Sequence, residues 1–420
     1  MKRIFAMIFV LLCFSVTAFA LDGEGTEESP FIVTDEEELL LVGDFPDCHF
    51  RLGNDIKLSK AITPLCYYGD DFTGVLDGNG YTISNFSTTG GTTYGKKQLG
   101  LLTINKGTIK NLTVNLTEDD WSYAMYSNDD YWGTICGINS GRIENCRING
   151  QIQAKSSNSS YSKGYLGGIC GENTSNGIIS FCSVDGVFDL QKINYAGAVA
   201  GVNKGTIEYV GARYTQTGTS WYGLAYSTGT SSWPSGSISN SYAIGNDSRF
   251  SSYSIITNCY YINTYGSAPY GMVCKSSTFT QKTIAAMKMK QTYTREGFDF
   301  DTIWGINKNI NGGYPYLLWE YPNEEVNHVL TETKANVLED TLSFDINIDN
   351  NALGKVVHMA LYDQNNRLLR TYKVPNIDNK KNIVVALDAV SEASYAKIFV
   401  WDSITSLVPL GDCERVAIPR

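Results

Sequence analysis

Histidine is scarce in this sequence. The 420 residues include only three histidines, His49, His328 and His358, and they are far apart. No H-E-x-x-H motif occurs, which excludes a metalloprotease of the zincin type at the level of sequence. We therefore expect no metal site and no cofactor, and we assign no catalytic residue.

An excess of basic residues is also missing. The formal net charge is −10, whereas a protein that binds nucleic acid normally carries a basic stripe. We therefore expect no nucleic-acid partner. Glycine (40 residues) and tyrosine (27 residues) are abundant, and charged residues make up only 18% of the chain. This composition is typical of an exported all-β protein.

Long apolar runs are limited to the N-terminus. Lys2 and Arg3 precede an apolar segment over residues 4–16, and "AFA" at residues 18–20 fits a signal-peptidase site. This pattern predicts a signal peptide over residues 1–20. No second run reaches the length of a membrane span, and the C-terminus shows no hydrophobic tail. We expect an extracellular protein, secreted or attached to the cell surface, with no transmembrane anchor after signal cleavage.

The middle of the chain repeats one pattern four times, G-x-I-x-G-x-N-x-G-x-I-x-N-C-x-V. Key asparagines of successive copies lie 34, 34 and 30 residues apart. An isoleucine follows in every copy. The key asparagines are Asn105, Asn139, Asn173 and Asn203, and the isoleucines are Ile109, Ile143, Ile179 and Ile207.

Cysteine occupies two positions of the repeat, but not in every copy. Other copies have leucine, alanine or valine at the same positions. A metal ligand or an obligatory disulfide would not alternate with leucine, so stacked free thiols are the favoured interpretation, with disulfides as the alternative. Outside the repeats, Cys48 and Cys66 are the likelier bridge if one exists. The repeat cysteines are Cys136, Cys146, Cys170 and Cys182.

The β-rich pieces of each repeat are only two to four residues long. Such strands cannot form a free-standing sheet, because each would leave its edges and its apolar face unsatisfied. A coiled chain solves both problems when each strand pairs with its copies above and below. The sequence thus predicts an all-β, parallel β-helix-like solenoid whose isoleucines and cysteines form ladders in the core. Asn145 would turn the chain at a corner, with Asn111 and Asn258 in equivalent positions.

Two other interpretations of the repeats are less favoured. An antiparallel barrel or sandwich would use N-G or D-G hairpin turns, whereas this chain uses N-x-G. A phosphate-binding loop needs a helix after its glycines, and no helical pattern follows.

The repeats resemble the GLUG motif of bacterial surface and secreted proteins. The resemblance extends to "FRLGNDIKLSKAITPLCYYGDDFTGVLDGNGYTISNF" before the repeats and to "GFDFDTIWGINKNINGGYPYL" after them, and it covers about residues 30–320. It implies a solenoid fold and says little about function. The chain departs from the motif in "LGLLTIN" and at Phe181 and Tyr209, which replace the corner asparagine, so we expect local distortion in these coils.

A solenoid needs capped ends. "TDEEELLLV" predicts a short helix with Thr34 at the N-cap and Glu37 at N3, and residues 282–293 predict a second helix. Aromatic residues between 298 and 316 would cover the last coil. We expect the capped solenoid domain to span residues 21–320.

The sequence pattern changes after residue 325, where the repeats stop and alternating apolar and polar residues predict antiparallel strands. We expect a small immunoglobulin-like β-sandwich over residues 325–420, with a hairpin turn at Asn365 and Asn366. This module resembles those on exported proteins of Gram-positive anaerobes.

Segments between the repeats are rich in tryptophan, tyrosine, serine and glycine. Long loops on a rigid scaffold often carry function, and aromatic rings beside hydroxyls suit a glycan or a protein partner. Packing of these rings against the solenoid is the structural alternative. The candidate ligand contacts are Trp121, Tyr123, Tyr126, Trp132, Tyr161, Trp221, Tyr222 and Trp233.

Three classes of function compete. A non-enzymatic adhesion or binding protein is favoured by the predicted export and the aromatic segments, and a structural spacer of the cell surface is the second candidate. A carbohydrate-active enzyme, a lyase or a glycosidase, is the third. Its candidate acids occur as neighbours (Asp70–Asp71, Asp119–Asp120, Asp129–Asp130), and neighbouring residues of a strand point to opposite faces. We therefore predict that the chain is not an enzyme.

Overall fold

The computed structural model describes most of the chain after the predicted signal peptide. The described residues are 21–68, 70–89, 98–117, 122–125, 130–156, 162–191, 193–218, 223–226, 236–246, 254–264, 270–276, 278–321, 330–338, 341–348, 356–374, 380–386, 392–401 and 414–418. The chain divides after Thr280 into two compact units. The domain bounds predicted from the sequence, residues 21–320 and 325–420, stay a prediction; residues 297–317, predicted to close the solenoid, fall in the second unit.

The first unit is a parallel β-solenoid. Its strands are β1 (Phe31–Val33), β2 (His49–Leu52), β3 (Ile56–Lys57), β4 (Val75–Asp77), β5 (Thr82–Phe86), β6 (Gln98–Leu99), β7 (Leu102–Asn105), β8 (Thr108–Lys110), β9 (Thr113–Leu116), β10 (Ser122–Met125), β11 (Tyr131–Trp132), β12 (Cys136–Asn139), β13 (Arg142–Glu144), β14 (Arg147–Ser156), β15 (Ser162–Gly167), β16 (Cys170–Asn173), β17 (Ile178–Ser180), β18 (Ser183–Gln191), β19 (Ile193–Gly197), β20 (Ala200–Asn203), β21 (Thr206–Glu208), β22 (Gly211–Gly218), β23 (Ala225–Tyr226), β24 (Ser237–Ser239), β25 (Tyr242–Gly245), β26 (Ile255–Asn263), β27 (Tyr270–Ser276) and β28 (Phe279–Lys282).

These strands stack into four parallel faces. One face has the order β6-β11-β15-β19, and the next has the order β7-β12-β16-β20-β23. A third face runs from β1 through β2, β4, β8, β13, β17, β21 and β24 to β26. The fourth runs from β3 through β5, β9, β14, β18, β22 and β25 to the same β26. Strand β27 pairs antiparallel with β26 and ends this stacking.

Each repeat forms one coil. The key asparagines are in register from strand to strand, Asn105 with Asn139, Asn139 with Asn173, and Asn173 with Asn203. The isoleucine ladder is also in register and fully buried, as predicted: Ile109, Ile143, Ile179 and Ile207. Burial of one such side chain contributes about 1.5–3 kcal/mol. The coil that starts with "LGLLTIN" keeps the same register, so the predicted distortion there is wrong.

The key asparagines form a second ladder inside the solenoid. The side-chain amide of each asparagine donates to Oδ1 of the next, at 2.8 Å in all three steps from Asn105 to Asn203. All four side chains are fully buried. The glycine that follows has no room for a side chain: a Cβ on Gly141 would lie 2.2 Å from the carbonyl oxygen of Gly107. This close approach explains the N-x-G spacing.

The predicted corner is confirmed. Asn111, Asn145 and Asn258 have φ values of 54°, 51° and 49°, the left-handed region that asparagine tolerates. Phe181 and Tyr209 have φ values of 52° and 55° at the same corner. The expected distortion there is therefore wrong, because these coils hold the same backbone conformation with bulky residues.

The cysteine predictions agree with the structure. Cys136 pairs in register with Cys170, and the ladder positions Cys146 and Cys182 are fully buried. Every cysteine among the described residues is a free thiol, including Cys48 and Cys66, which the sequence left open as a bridge.

The N-terminal helix begins one residue later than predicted. Helix α1 spans Glu36–Leu41, and Asp35, not Thr34, is the N-cap, accepting from the amide of Glu38. Glu38 accepts from the amide and the hydroxyl of Thr34. Asp35 caps the helix because its carboxylate lies one residue closer to the apolar run than the hydroxyl of Thr34.

The second unit begins with short helical turns. The helix predicted over residues 282–293 is broken by the extended backbone of Met289, giving a 3₁₀ turn (Ala286–Lys288) and α2 (Lys290–Thr294). Strands β29 (Trp304–Ile306) and β30 (Pro315–Leu317) then pair antiparallel. Further 3₁₀ turns are Val42–Asp44 in the first unit and Asn311–Gly313 and Leu318–Glu320 in the second.

The C-terminal part is a β-sandwich, as predicted. One antiparallel sheet has the order β31-β32-β35, and the other has the order β34-β33-β36-β37. Side chains of both sheets, among them Phe344 and Met359, share one core. The predicted hairpin turns at Asn366, with φ of 63°. The strands are β31 (Leu330–Leu338), β32 (Thr341–Ile348), β33 (Val356–Tyr362), β34 (Leu368–Val374), β35 (Lys380–Ala386), β36 (Tyr395–Trp401) and β37 (Glu414–Ala417).

Within the described part of the chain, no helix combines the length and the apolar character that crossing a bilayer requires.

Candidate functional site

Most of the predicted ligand contacts lie outside the described residues. These are Trp121, Tyr126, Tyr161, Trp221, Tyr222 and Trp233. Tyr123 belongs to β10, which pairs with β14 and so extends the solenoid wall rather than forming a loop. The inserted segment after Gly150 is also largely strand, because β14 continues to Ser156 and β15 begins at Ser162.

Trp132 is described and is a core residue. Its side chain is 2% exposed, and it stacks in register between Leu99 and Leu166. We therefore correct its assignment as a ligand contact, since a buried ring has no surface to offer. The sequence suggested exposure because Trp132 adjoins a polar segment, but strand alternation turns its side chain inward.

The neighbouring position carries an outward row of three tyrosines, Tyr131, Tyr165 and Tyr195. Together with Tyr226, whose ring packs on Tyr195, we call them the tyrosine stack. Tyr131 and Tyr165 stack with ring centroids 5.3 Å apart, and Tyr165 and Tyr195 with centroids 5.0 Å apart. Tyr226 belongs to β23 on the second face, in register with Val202, and its ring centroid lies 4.6 Å from that of Tyr195. All four side chains are half-buried. The row therefore presents one type of aromatic group at the coil spacing of about 4.8 Å.

A mixed row lies beside the tyrosine stack on the next face. It consists of Ile104, Ile138, Glu172 and Val202 in register. Lys204 donates to Glu172 at 2.6 Å, so this carboxylate is held in an ion pair. Ile104 and Ile138 are half-buried, whereas Glu172 and Val202 are buried. The mixed row therefore adds two aliphatic groups and the charged end of Lys204 to the surface beside the tyrosine stack.

The sequence analysis missed the tyrosine stack, although a signal was present. Tyr131, Tyr165 and Tyr195 each precede a core residue and then a glycine, in "YWG", "YLG" and "YAG". Each also lies eight residues before its key asparagine. A tyrosine that recurs at one position of a coil must form a column on the surface.

The corner described above exposes a second aromatic group. Phe181 and Tyr209 stack with centroids 4.7 Å apart and an interplanar angle of 8°. Phe181 is 37% exposed, which is unusual for phenylalanine on a regular solenoid wall. Asparagines occupy the same corner in the coils on both sides.

The buried thiols do not form a reactive site. Burial raises the pKa of the Cys66 thiol to about 11 and raises the pKa of the Cys136 and Cys170 thiols further. A protonated thiol is a poor nucleophile and a poor metal ligand. No group of three or more metal-ligating side chains occurs among the residues with described positions.

Comparison with known proteins gives a partial similarity. No protein-family model matches the chain, and no solved structure matches it. A segment is similar to Halomucin from Haloquadratum walsbyi, with 34% identity over 112 residues. This segment makes up 26% of the chain and 1% of Halomucin, so the chain spans a very small part of that protein. The resemblance of the repeats to the GLUG motif stays a prediction.

Proposed function

We propose that the chain is a secreted or cell-surface protein that binds an extracellular glycan or protein and does not catalyse a reaction. The tyrosine stack is the observation that carries this proposal. A rigid wall that places half-exposed rings about 5 Å apart offers a repeated contact to an extended ligand.

The core explains why such a surface is well ordered without a ligand. Asparagine and isoleucine ladders fix every coil relative to its neighbours, so the outward rings are held in place before binding. A surface that is ordered in advance loses less conformational entropy on association.

The charges of the described surface favour binding over catalysis. Asp71 lies 2.7 Å from Lys106, and Asp185 lies 3.2 Å from Arg213. Glu172 is likewise paired with Lys204, so these three carboxylates serve as partners of surface cations. The predicted signal peptide and the GLUG resemblance support the extracellular location.

The test is a binding screen with the full chain. We expect binding to at least one member of an array of extracellular glycans and matrix proteins. Tyr165→Ser should weaken that binding about tenfold, because Tyr165 contacts both neighbours in the stack and the loss of one anchoring ring is worth about 1.4 kcal/mol.

Tyr68→Ser is the matched control, since Tyr68 is 91% exposed on the same unit and lies outside the stack. If the wild-type chain bound no member of the array, the proposal would be refuted and the structural spacer would be favoured. Turnover of a polysaccharide would contradict its non-enzymatic character.

A further inference from the structure

One corner of the solenoid carries a column of four asparagines and two aromatic residues. We call it the corner column: Asn111, Asn145, Phe181, Tyr209, Asn240 and Asn258. The residues from Asn111 to Asn240 each follow a strand of the third face, Asn258 lies within β26, and these strands are in register. The backbone amide of each residue from Asn111 to Asn240 donates to a carbonyl of the next coil. The column is therefore continuous along the wall.

The asparagines of the corner column bond to one another. Asn145 donates its side-chain amide to Oδ1 of Asn111 at 3.2 Å, and Asn258 donates to Oδ1 of Asn240 at 3.3 Å. These bonds form the two ends of one ladder. The two coils between them lack an amide, because Phe181 and Tyr209 occupy the positions.

The aromatic residues are unfavourable choices for this backbone. Left-handed φ values suit asparagine, whereas a bulky side chain in this region is an outlier. Asparagine at both positions would relieve the backbone and complete the ladder. Residues kept in unfavourable conformations cluster at binding sites, where the strain serves the site.

Phe181 and Tyr209 interrupt the ladder of side-chain amides, so the asparagine on each side of the rings keeps one polar group that has no ladder partner. Asn145 uses its NH₂ group toward Asn111, so its Oδ1 faces the gap as an acceptor. Asn240 uses its Oδ1 toward Asn258, so its NH₂ group faces the gap as a donor. Among the described residues neither group has another hydrogen-bond partner. Three coil steps of about 4.8 Å separate Asn145 from Asn240, or about 14 Å in all.

We propose that the corner column is a binding site for a neutral oligosaccharide that lies along the solenoid axis. An amide acceptor and an amide donor match sugar hydroxyls, which both donate and accept. Phe181 and Tyr209 reach further from the backbone than the asparagine amides beside them. Phe181 is 37% exposed and Tyr209 is half-buried, so the stacked pair offers its exposed edges and its uncovered ring faces to the C–H groups of a sugar.

The surroundings decide between ligand classes. Glu208 lies in the strand row beside the column, and the whole chain has a net charge of −10. In the same row Glu144 forms an ion pair with Arg142 at 3.4 Å and is the register neighbour of Lys110, so the negative field comes from Glu208 and from the chain as a whole. Acidic glycans would be repelled by this field. The column is only one residue wide, whereas a stable protein interface buries about 800 Å² on each partner. A single neutral sugar chain is the ligand that fits a strip of this shape.

The test uses affinity electrophoresis of the full chain in gels that contain one polysaccharide each. The neutral probes are a β-glucan, a xylan and a galactomannan, and the acidic probes are polygalacturonate and chondroitin sulfate. We expect retardation by at least one neutral probe. Phe181→Asn combined with Tyr209→Asn should weaken it at least tenfold with no fall in melting temperature, since asparagine suits this corner.

Two more variants sharpen the result. Asn240→Asp keeps the acceptor for Asn258 and removes the free donor, so a several-fold weakening is expected. Tyr68→Ser, at an exposed position outside both the tyrosine stack and the corner column, should leave retardation by the neutral probe unchanged.

If the double variant were retarded as strongly as the wild-type chain, this inference would be overturned and the proposed function would stand. A wild-type chain that binds none of the neutral probes, or prefers the acidic ones, would overturn it as well. Binding of a matrix protein that only the double variant loses would show that the ligand class is wrong.

Discussion

Replacement of Asn139 by alanine perturbs the centre of the buried asparagine ladder. Asn139 accepts from the side-chain amide of Asn105 and donates to Oδ1 of Asn173, both at 2.8 Å, and its side chain is fully buried. Alanine removes both bonds and also a longer bond of 3.4 Å from the same amide to the carbonyl of Ile178. It also leaves an amide hydrogen of Asn105 and Oδ1 of Asn173 facing a small void.

The expected loss follows from these two partners. A buried polar group left without its hydrogen bond costs about 1–3 kcal/mol. The amide of Asn105 keeps a second contact to the carbonyl of Arg142 at 3.3 Å, which lowers its share. We therefore expect Asn139→Ala to lower the free energy of unfolding by about 2–4 kcal/mol, a large fraction of the 5–15 kcal/mol typical of a domain.

Urea denaturation of the full chain, followed by circular dichroism, measures this loss. Asn149→Ala is the matched control, because Asn149 lies in the same coil and makes one amide bond of 2.9 Å to Asn115 at the half-exposed surface. We expect the control to lose about 1 kcal/mol or less. Equal effects of the two variants would refute the claim that the buried ladder holds the coils together.

Three more predictions concern the core. Ile143→Ala should cost about 3 kcal/mol in the same urea assay, since Ile143 is fully buried between Ile109 and Ile179, and less than 1 kcal/mol would contradict the ladder. Iodoacetamide at pH 8 should label half-exposed Cys48 long before the fully buried ladder cysteines, and equal labelling would show an open core. Because burial raises the folded-state pKa of Cys66 to about 11, its protonated thiol contributes stability below pH 9 that is lost as the pH rises toward 11.

The core of the solenoid was predictable because its residues recur. Isoleucine in every copy indicated a ladder, and the exchange of cysteine for leucine indicated buried thiols. Asn145 was identified as a corner because a spacing of three between Ile143 and Cys146 requires one extra residue if both are to point inward. These inferences needed only period, side-chain volume and backbone preference.

The burial of polar side chains was harder to predict from the sequence. The key asparagines were recognised only as a recurring position, because their complete burial depends on amide bonds between coils that exist only once the coils stack. Trp132 illustrates the same limit. Its position beside a polar segment suggested exposure, and only the register with Leu99 and Leu166 turns it into the core.

The candidate binding surfaces arise from comparison of coils rather than from single motifs. Tyr131, Tyr165 and Tyr195 are unremarked in any one copy and form a stack only when the copies are aligned. Phe181 and Tyr209 looked like defects of the repeat. Their backbone is regular, so the departure from asparagine is a change of surface chemistry and not of fold.

The central claim is that each repeat makes one coil and that equivalent residues lie directly above one another. A crystal structure tests it through the Cα–Cα distances between Asn105, Asn139 and Asn173. The account predicts about 4.8 Å for each neighbouring pair along a common axis. Distances well beyond 8 Å, or asparagines placed on unrelated sheets, would contradict it.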